Sequence, residues 1–155
     1  RGRAMTTNTA QILSFDIEKQ IDPDKPRYIE PGVYDAVMVD WKVYYNNFYR
    51  RHLLLMHFRI VEMGEFNGAI VPGWFNVQPT KSKTTVKAGW RSNFLRMYQE
   101  CFNIKLERRD RIPMSRFKSI RLKVEVVTIG KDTQGQPLAK INHYSRVGRV
   151  LKAVQ

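Results

Sequence analysis

"TTVKAGWRSNFLRMYQECF", residues 84–102, is where the periodicity of this chain changes. Apolar residues fall at Val86, Trp90, Phe94, Met97, Tyr98 and Cys101, at intervals of four, four, three, one and three, which is one face of an amphipathic helix. Lys87, Arg91, Arg96 and Glu100 sit mostly off that stripe, and Trp90 on it reads as core. The ordered stretches on either side alternate with period two. The place of this one helix among the strands therefore decides the fold.

Working back toward the N-terminus, "AIVPGWFNV" (69–77) is a strand, with Pro72-Gly73 pointing to an edge or a bulge. "EMGEFNG" before it is a turn, and "HLLLMHFRIVE" (52–62) is another strand, with Met56, Phe58 and Ile60 set against His57, Arg59 and Val61. "GVYDAVMVDW" (32–41) opens the series, with Val33, Val37, Val39 and Trp41 on one face and Tyr34, Ala36 and Met38 on the other. The first two strands form a long hairpin turning at Asn46-Asn47, a pair that tolerates positive φ. Beyond the helix, "RRDRIPMSRF" is a basic loop. "SIRLKVEVVTIG" (119–130) is a strand with Ile120, Leu122, Val124 and Val126 inward, "KDTQGQ" is a turn, and "PLAKINHYSRV" (137–147) is a fifth strand. "GRVLKAVQ" is left as a short tail.

Three strands, one helix and two strands is the order of the OB-fold, a partly open five-stranded Greek-key barrel. An α+β sheet covered by one helix shares that order. The expected organisation is an N-terminal arm over 1–30, a mostly β, OB-fold domain over 31–152 and a tail over 153–155. The arm is marked by three prolines and a glycine in "IDPDKPRYIEPG", and residues 1–4 before Met5 resemble a tag remnant.

The 155 residues carry a net charge of +13, unevenly spread. Residues 5–40 hold seven acids and three bases, whereas residues 81–123 hold thirteen bases and three acids. Segregation of this kind argues for a polyanionic partner, because neutralising phosphates releases condensed counterions; a solubilising surface is the plain alternative. No stretch approaches the roughly 18 apolar residues of a membrane helix. One cysteine excludes an internal disulfide, and three scattered histidines give no zinc spacing, so no metal or cofactor is expected and a reducing, cytoplasmic setting is the default. No Gly-rich phosphate loop, His-Glu-x-x-His or nucleophile elbow occurs, and the closest acid pairs lie in the polar arm. An enzyme is not expected.

Binding chemistry is better supplied. "WKVYYNNFYRR" (41–51) puts Trp41, Tyr44, Tyr45, Phe48 and Tyr49 beside Arg50 and Arg51. Rings that stack on bases and cations that follow the backbone are what a single-strand binder needs; burial of the rings, or their use in a dimer or protein interface, is the alternative. Trp74 and Phe75 are adjacent on a strand, so one faces in and one out. Arg59 faces away from Phe58. Lys81, Lys83, Lys87 and Arg91 flank the helix start, Arg109 lies in the "RRDR" loop, and Lys131, Lys140, Arg146 and Arg149 complete a basic rim.

"PGVYDAVMVDW", "LLMHFRIVEMGEFNGAIVPGWFNV", "IPMSRFKSIRLKVEVVTI" and "INHYSRVGRVLKAV" together resemble OB-fold single-stranded DNA-binding proteins of phages and mobile elements. The pattern is carried by Pro31, Gly32, Tyr34, Phe58, Ile60, Val61, Glu62, Gly68 and Pro113, and the resemblance spans residues 30–152. It implies sequence-tolerant binding of single-stranded DNA during replication or recombination, in a bacterial cytoplasm or nucleoid. RNA is the alternative ligand, and homo-oligomers and replication proteins are conceivable partners. The first hairpin is unusually aromatic for such a protein, and "LKAVQ" replaces an acidic partner-recruiting tip. That recruiting role is not carried over.

Overall fold

In the computed structural model, residues 28–131, 135–139 and 143–154 are described, and most of the expected N-terminal arm and Lys140 lie outside them. The chain is mostly β. Among the described residues eight strands run in order: β1 (Gly32–Asn46), β2 (Arg51–Ile60), β3 (Ile70–Asn76), β4 (Gln78–Pro79), β5 (Thr85–Lys87), β6 (Ile112–Pro113), β7 (Arg121–Ile129) and β8 (Tyr144–Val154). One α-helix, α1 (Asn93–Phe102), lies between β5 and β6, and a 3-10 turn spans Met114–Phe117. The main sheet is five-stranded and antiparallel, in the order β3-β2-β1-β7-β8; β4, β5 and β6 form a small second sheet.

β1 is the long central strand because its two ends serve different partners. Gly32–Val37 pairs with β7, whereas Ala36–Asn46 pairs with β2, so the far half of β1 leaves the sheet as one arm of a hairpin. Val39 is a bulge: Met38 faces Phe58, and the next paired residue is Asp40, opposite His57. One extra residue reverses the alternation. Ala36 and Met38 face the core before the bulge and Trp41 and Val43 after it, while Val33 and Val39, expected on the same face as Trp41, are exposed.

The sheet curls so that its two end strands approach each other. A Cβ on Gly73 of β3 would stand 3.2 Å from Cβ of Val147 on β8. Among the described residues no hydrogen-bonded ladder joins β3 to β8, so the expected barrel is not closed. Helix α1 covers this end through Phe94, Leu95, Met97, Tyr98 and Cys101, and the Phe94 ring sits 5.7 Å from that of Phe75. Ile29, fully buried, ties the opposite segment to β8: its N–H donates to Ser145 Oγ at 2.6 Å, and that hydroxyl donates to the Ile29 carbonyl at 3.0 Å.

Three expectations are corrected. The helix occupies only the second half of residues 84–102. Thr85–Lys87 pairs in the small sheet, and Ser92 caps the helix by accepting the Leu95 N–H. Trp90, placed ahead of that cap, is 61% exposed and not core. The last strand starts seven residues later than expected and runs through the supposed tail, because Val147 and Val150 fill the core opposite Val126 and Val124.

Candidate nucleic-acid interface

The gap between β3 and β8 opens into a cleft of about 880 Å³. Its walls come from four elements. The β1–β2 hairpin supplies Tyr44, Asn46, Tyr49, Arg51 and Leu53; the end of β3 supplies Trp74, Phe75 and Asn76. The start of α1 and the residues before it bring Arg91, Ser92, Asn93 and Arg96, and β8 brings Tyr144, Arg146 and Arg149. Among the described residues, four aromatic rings with room to be contacted (Tyr44, Tyr49, Trp74 and Tyr144) thus share one depression with five arginines, against a single lining carboxylate, Glu100.

Strand geometry selects these rings. Tyr44 pairs with Leu53 and Leu55 with Trp74, so alternate residues of three adjacent strands rise on the outer face. Tyr45, one residue on, faces the other way and packs edge-on against His52 at 5.2 Å. The hairpin loop is not centred on Asn46-Asn47. Asn46 pairs with Arg51, its Oδ1 accepts the Tyr49 N–H at 2.8 Å, and Arg50 takes the positive φ of 56°. That Asx contact fixes Tyr49 beside the cleft, with Arg51 over its ring at 5.0 Å and Phe48 at the exposed tip against its edge at 5.1 Å.

Of the expected site residues, Tyr44, Tyr49, Arg51, Trp74, Arg91 and Arg146 meet in this cleft. Phe75 also borders it, but is only 9% exposed and belongs to the core. Trp41 packs on the core and borders a separate shallow hollow of about 410 Å³ with Lys83. Lys81 and Lys87 are exposed in and beside the small sheet, and Arg59 is exposed on β2 between Val37 and Ile70. Lys131 makes a bridge with Pro137 in the last turn. None of these five basic residues borders the larger cleft. Arg109 lies over the Trp90 ring, 5.3 Å from its centroid.

Tyr144 and Arg96 also line the cleft, though the sequence reading did not select them as site residues. Arg96 carries its signal as a charge off the helix stripe; Tyr144, inside the expected strand 137–147, carries none, because only the pairing of β8 with β7 sets which side it faces. Asp110 in the basic loop is neutralised locally. Arg108 grips Asp110 through Nε–Oδ1 at 3.1 Å and Nη2–Oδ2 at 2.8 Å, which holds the Asp110 carboxyl below its ordinary range. Cys101 is buried and its thiol is pushed up to about 11 by desolvation, which suits packing and not nucleophilic chemistry.

Comparison of the chain with protein-family models, with curated proteins and with solved structures gives no match.

Proposed function

We propose that this chain is an OB-fold protein that binds single-stranded DNA without catalysis and with little sequence preference. The observation that carries the reading is the cleft itself, where the described residues set four rings and five arginines against one carboxylate. Every base offers a π-face, so stacking on Tyr44, Tyr49, Trp74 or Tyr144 is tolerant of sequence and contributes roughly 1–3 kcal/mol per base. Guanidinium groups pair with phosphate through two parallel N–H donors, which suits Arg91, Arg96 and Arg146 to the backbone. Arg149 is shared, since its Nε already donates to Glu125 at 2.8 Å.

The OB assignment rests on strand order. In that fold the first strand pairs with both the second and the fourth, and the helix connects the third to the fourth. The order β3-β2-β1-β7-β8, with α1 between β3 and β7, has that connectivity with one seam left unladdered. The hairpin loop and the β7–β8 connection then correspond to the two loops with which such folds grip oligonucleotides. With the resemblance in sequence, this supports a role in coating strands during phage or mobile-element replication or recombination.

The test is a fluorescence titration with oligo-dT, the same sequence as duplex, and oligo-U, each at two salt concentrations. Salt-sensitive binding to dT in preference to duplex is the expected result; preference for oligo-U makes the ligand RNA. Equal binding to all three would leave charge without base stacking and overturn the reading. A second reading comes from the hairpin tip, where Phe48 is 60% exposed: an aromatic protein interface, which predicts no response to any of the three nucleic acids.

A further inference from the structure

Trp90 is the most exposed of the large ring residues on the described surface, at 61%, and a tryptophan left in water is an informative exception to burial. One face of its ring is covered by the Arg109 guanidinium at 5.3 Å. The two residues come from different loops and are held together by backbone: the Ala88 N–H donates to the Arg109 carbonyl at 3.0 Å. Arg108 next to it is committed to Asp110, whereas no ion pair engages Arg109 among the described residues. Arg91, which follows Trp90 directly in the chain, lines the cleft, while Trp90 itself does not.

We infer that Trp90 and Arg109 form a second nucleotide-binding position outside the cleft, where a base stacks on the open face of the indole and the adjoining phosphate pairs with the guanidinium. This rests on the single-strand reading of the cleft and extends it, since it sets the direction in which a longer strand leaves. A cation already stacked on an indole keeps its N–H edge free, so one Arg serves both the ring and a phosphate. The position takes any base and rejects a neutral or cationic polymer.

The experiment compares wild type, Trp90→Ala, Arg109→Gln and Trp74→Ala with oligo-dT of about 4 and about 16 nucleotides, the range that one such fold covers. Trp90 is exposed, so Trp90→Ala is expected to keep the wild-type melting temperature. The expected result is that Trp90→Ala weakens binding of the long strand by about 5- to 150-fold and leaves the short one unchanged. Arg109→Gln should flatten the salt slope for the long strand by about 0.7. If Trp90→Ala binds both lengths like wild type while Trp74→Ala weakens both, the second position is wrong and the cleft stands. If wild type binds neither strand, the cleft reading fails and takes this inference with it.

Discussion

Tyr44 and Tyr45 are neighbours of the same chemical type with opposite fates. Tyr44 stands on the outer face beside Leu53 and Trp74, while Tyr45 turns to the other face and leans on His52. The double variant Tyr44→Ala/Trp74→Ala should therefore weaken oligo-dT binding by roughly 2–6 kcal/mol, counting two stacked bases. Tyr45→Ala should leave it nearly unchanged, and equal losses in a titration of both proteins would place the strand elsewhere. Asp35 makes a different kind of prediction. Its carboxylate meets Lys123 Nζ at 2.5 Å and Arg121 Nε at 3.1 Å and is only 18% exposed, and these partners, the Lys123 bond foremost, hold its pKa below the ordinary value. A depressed carboxylate stabilises the fold at pH above its unfolded value and loses that contribution as pH falls through the folded one. Asp35→Asn should accordingly be less stable than wild type at neutral pH, the difference shrinking below about pH 4. Urea midpoints measured across that range check it, and a difference constant with pH would remove Asp35 from the account.

Among the elements, β3 is the one whose packing sets the cleft. Gly73 needs no special backbone angle; it is small because β3 passes against β8. A Cβ there would meet Val147 at 3.2 Å, the Phe58 ring at 3.3 Å and the Phe75 ring at 3.5 Å. Gly73→Val should cost about 1–3 kcal/mol through overpacking. It should also push β3 away from β8 and loosen single-strand binding, because Val147 borders the cleft. Gly89 is the control: a Cβ there meets nothing within 4 Å, so Gly89→Ala should stay within about 0.5 kcal/mol of wild type. Denaturant unfolding of both variants decides the matter, and equal stability would mean that the β3–β8 approach is not tight.

At the scale of the whole molecule, the charge of +13 divides between a cleft and a periphery. Arg91, Arg96 and Arg146 line the cleft, whereas Lys81 and Lys83 lie around the small sheet, Lys83 at the second hollow. Only cations along the strand release its counterions. Arg91→Ala and Arg146→Ala are each expected to lower the magnitude of the log-log salt slope by about 0.7, with Lys81→Ala/Lys83→Ala leaving it alone. A slope that responds to the lysines and not to the arginines would move the path of the strand from the cleft to the small sheet.

Much of this was legible in residue order. The alternation of Met56, Phe58 and Ile60, and of Leu122, Val124 and Val126, marks strands wherever they pair, because side chains on a pleated backbone repeat every two residues. The stripe from Phe94 to Cys101 marks a helix for the same kind of local reason, and the segregated basic charge needs no fold to be seen. What periodicity cannot report is a one-residue insertion or the choice of a distant partner. The Val39 bulge turns Trp41 inward, against the parity of Val33 and Val37. Pairing with β4 and β6 pulls Thr85–Lys87 out of the helix and leaves Trp90 in water, and pairing with β7 carries β8 to Val154 and puts Tyr144 beside the cleft. Local sequence determined which residues form strands and helix and how much charge they carry. Only long-range pairing, through register and the approach of β3 to β8, decided which rings and arginines share a surface.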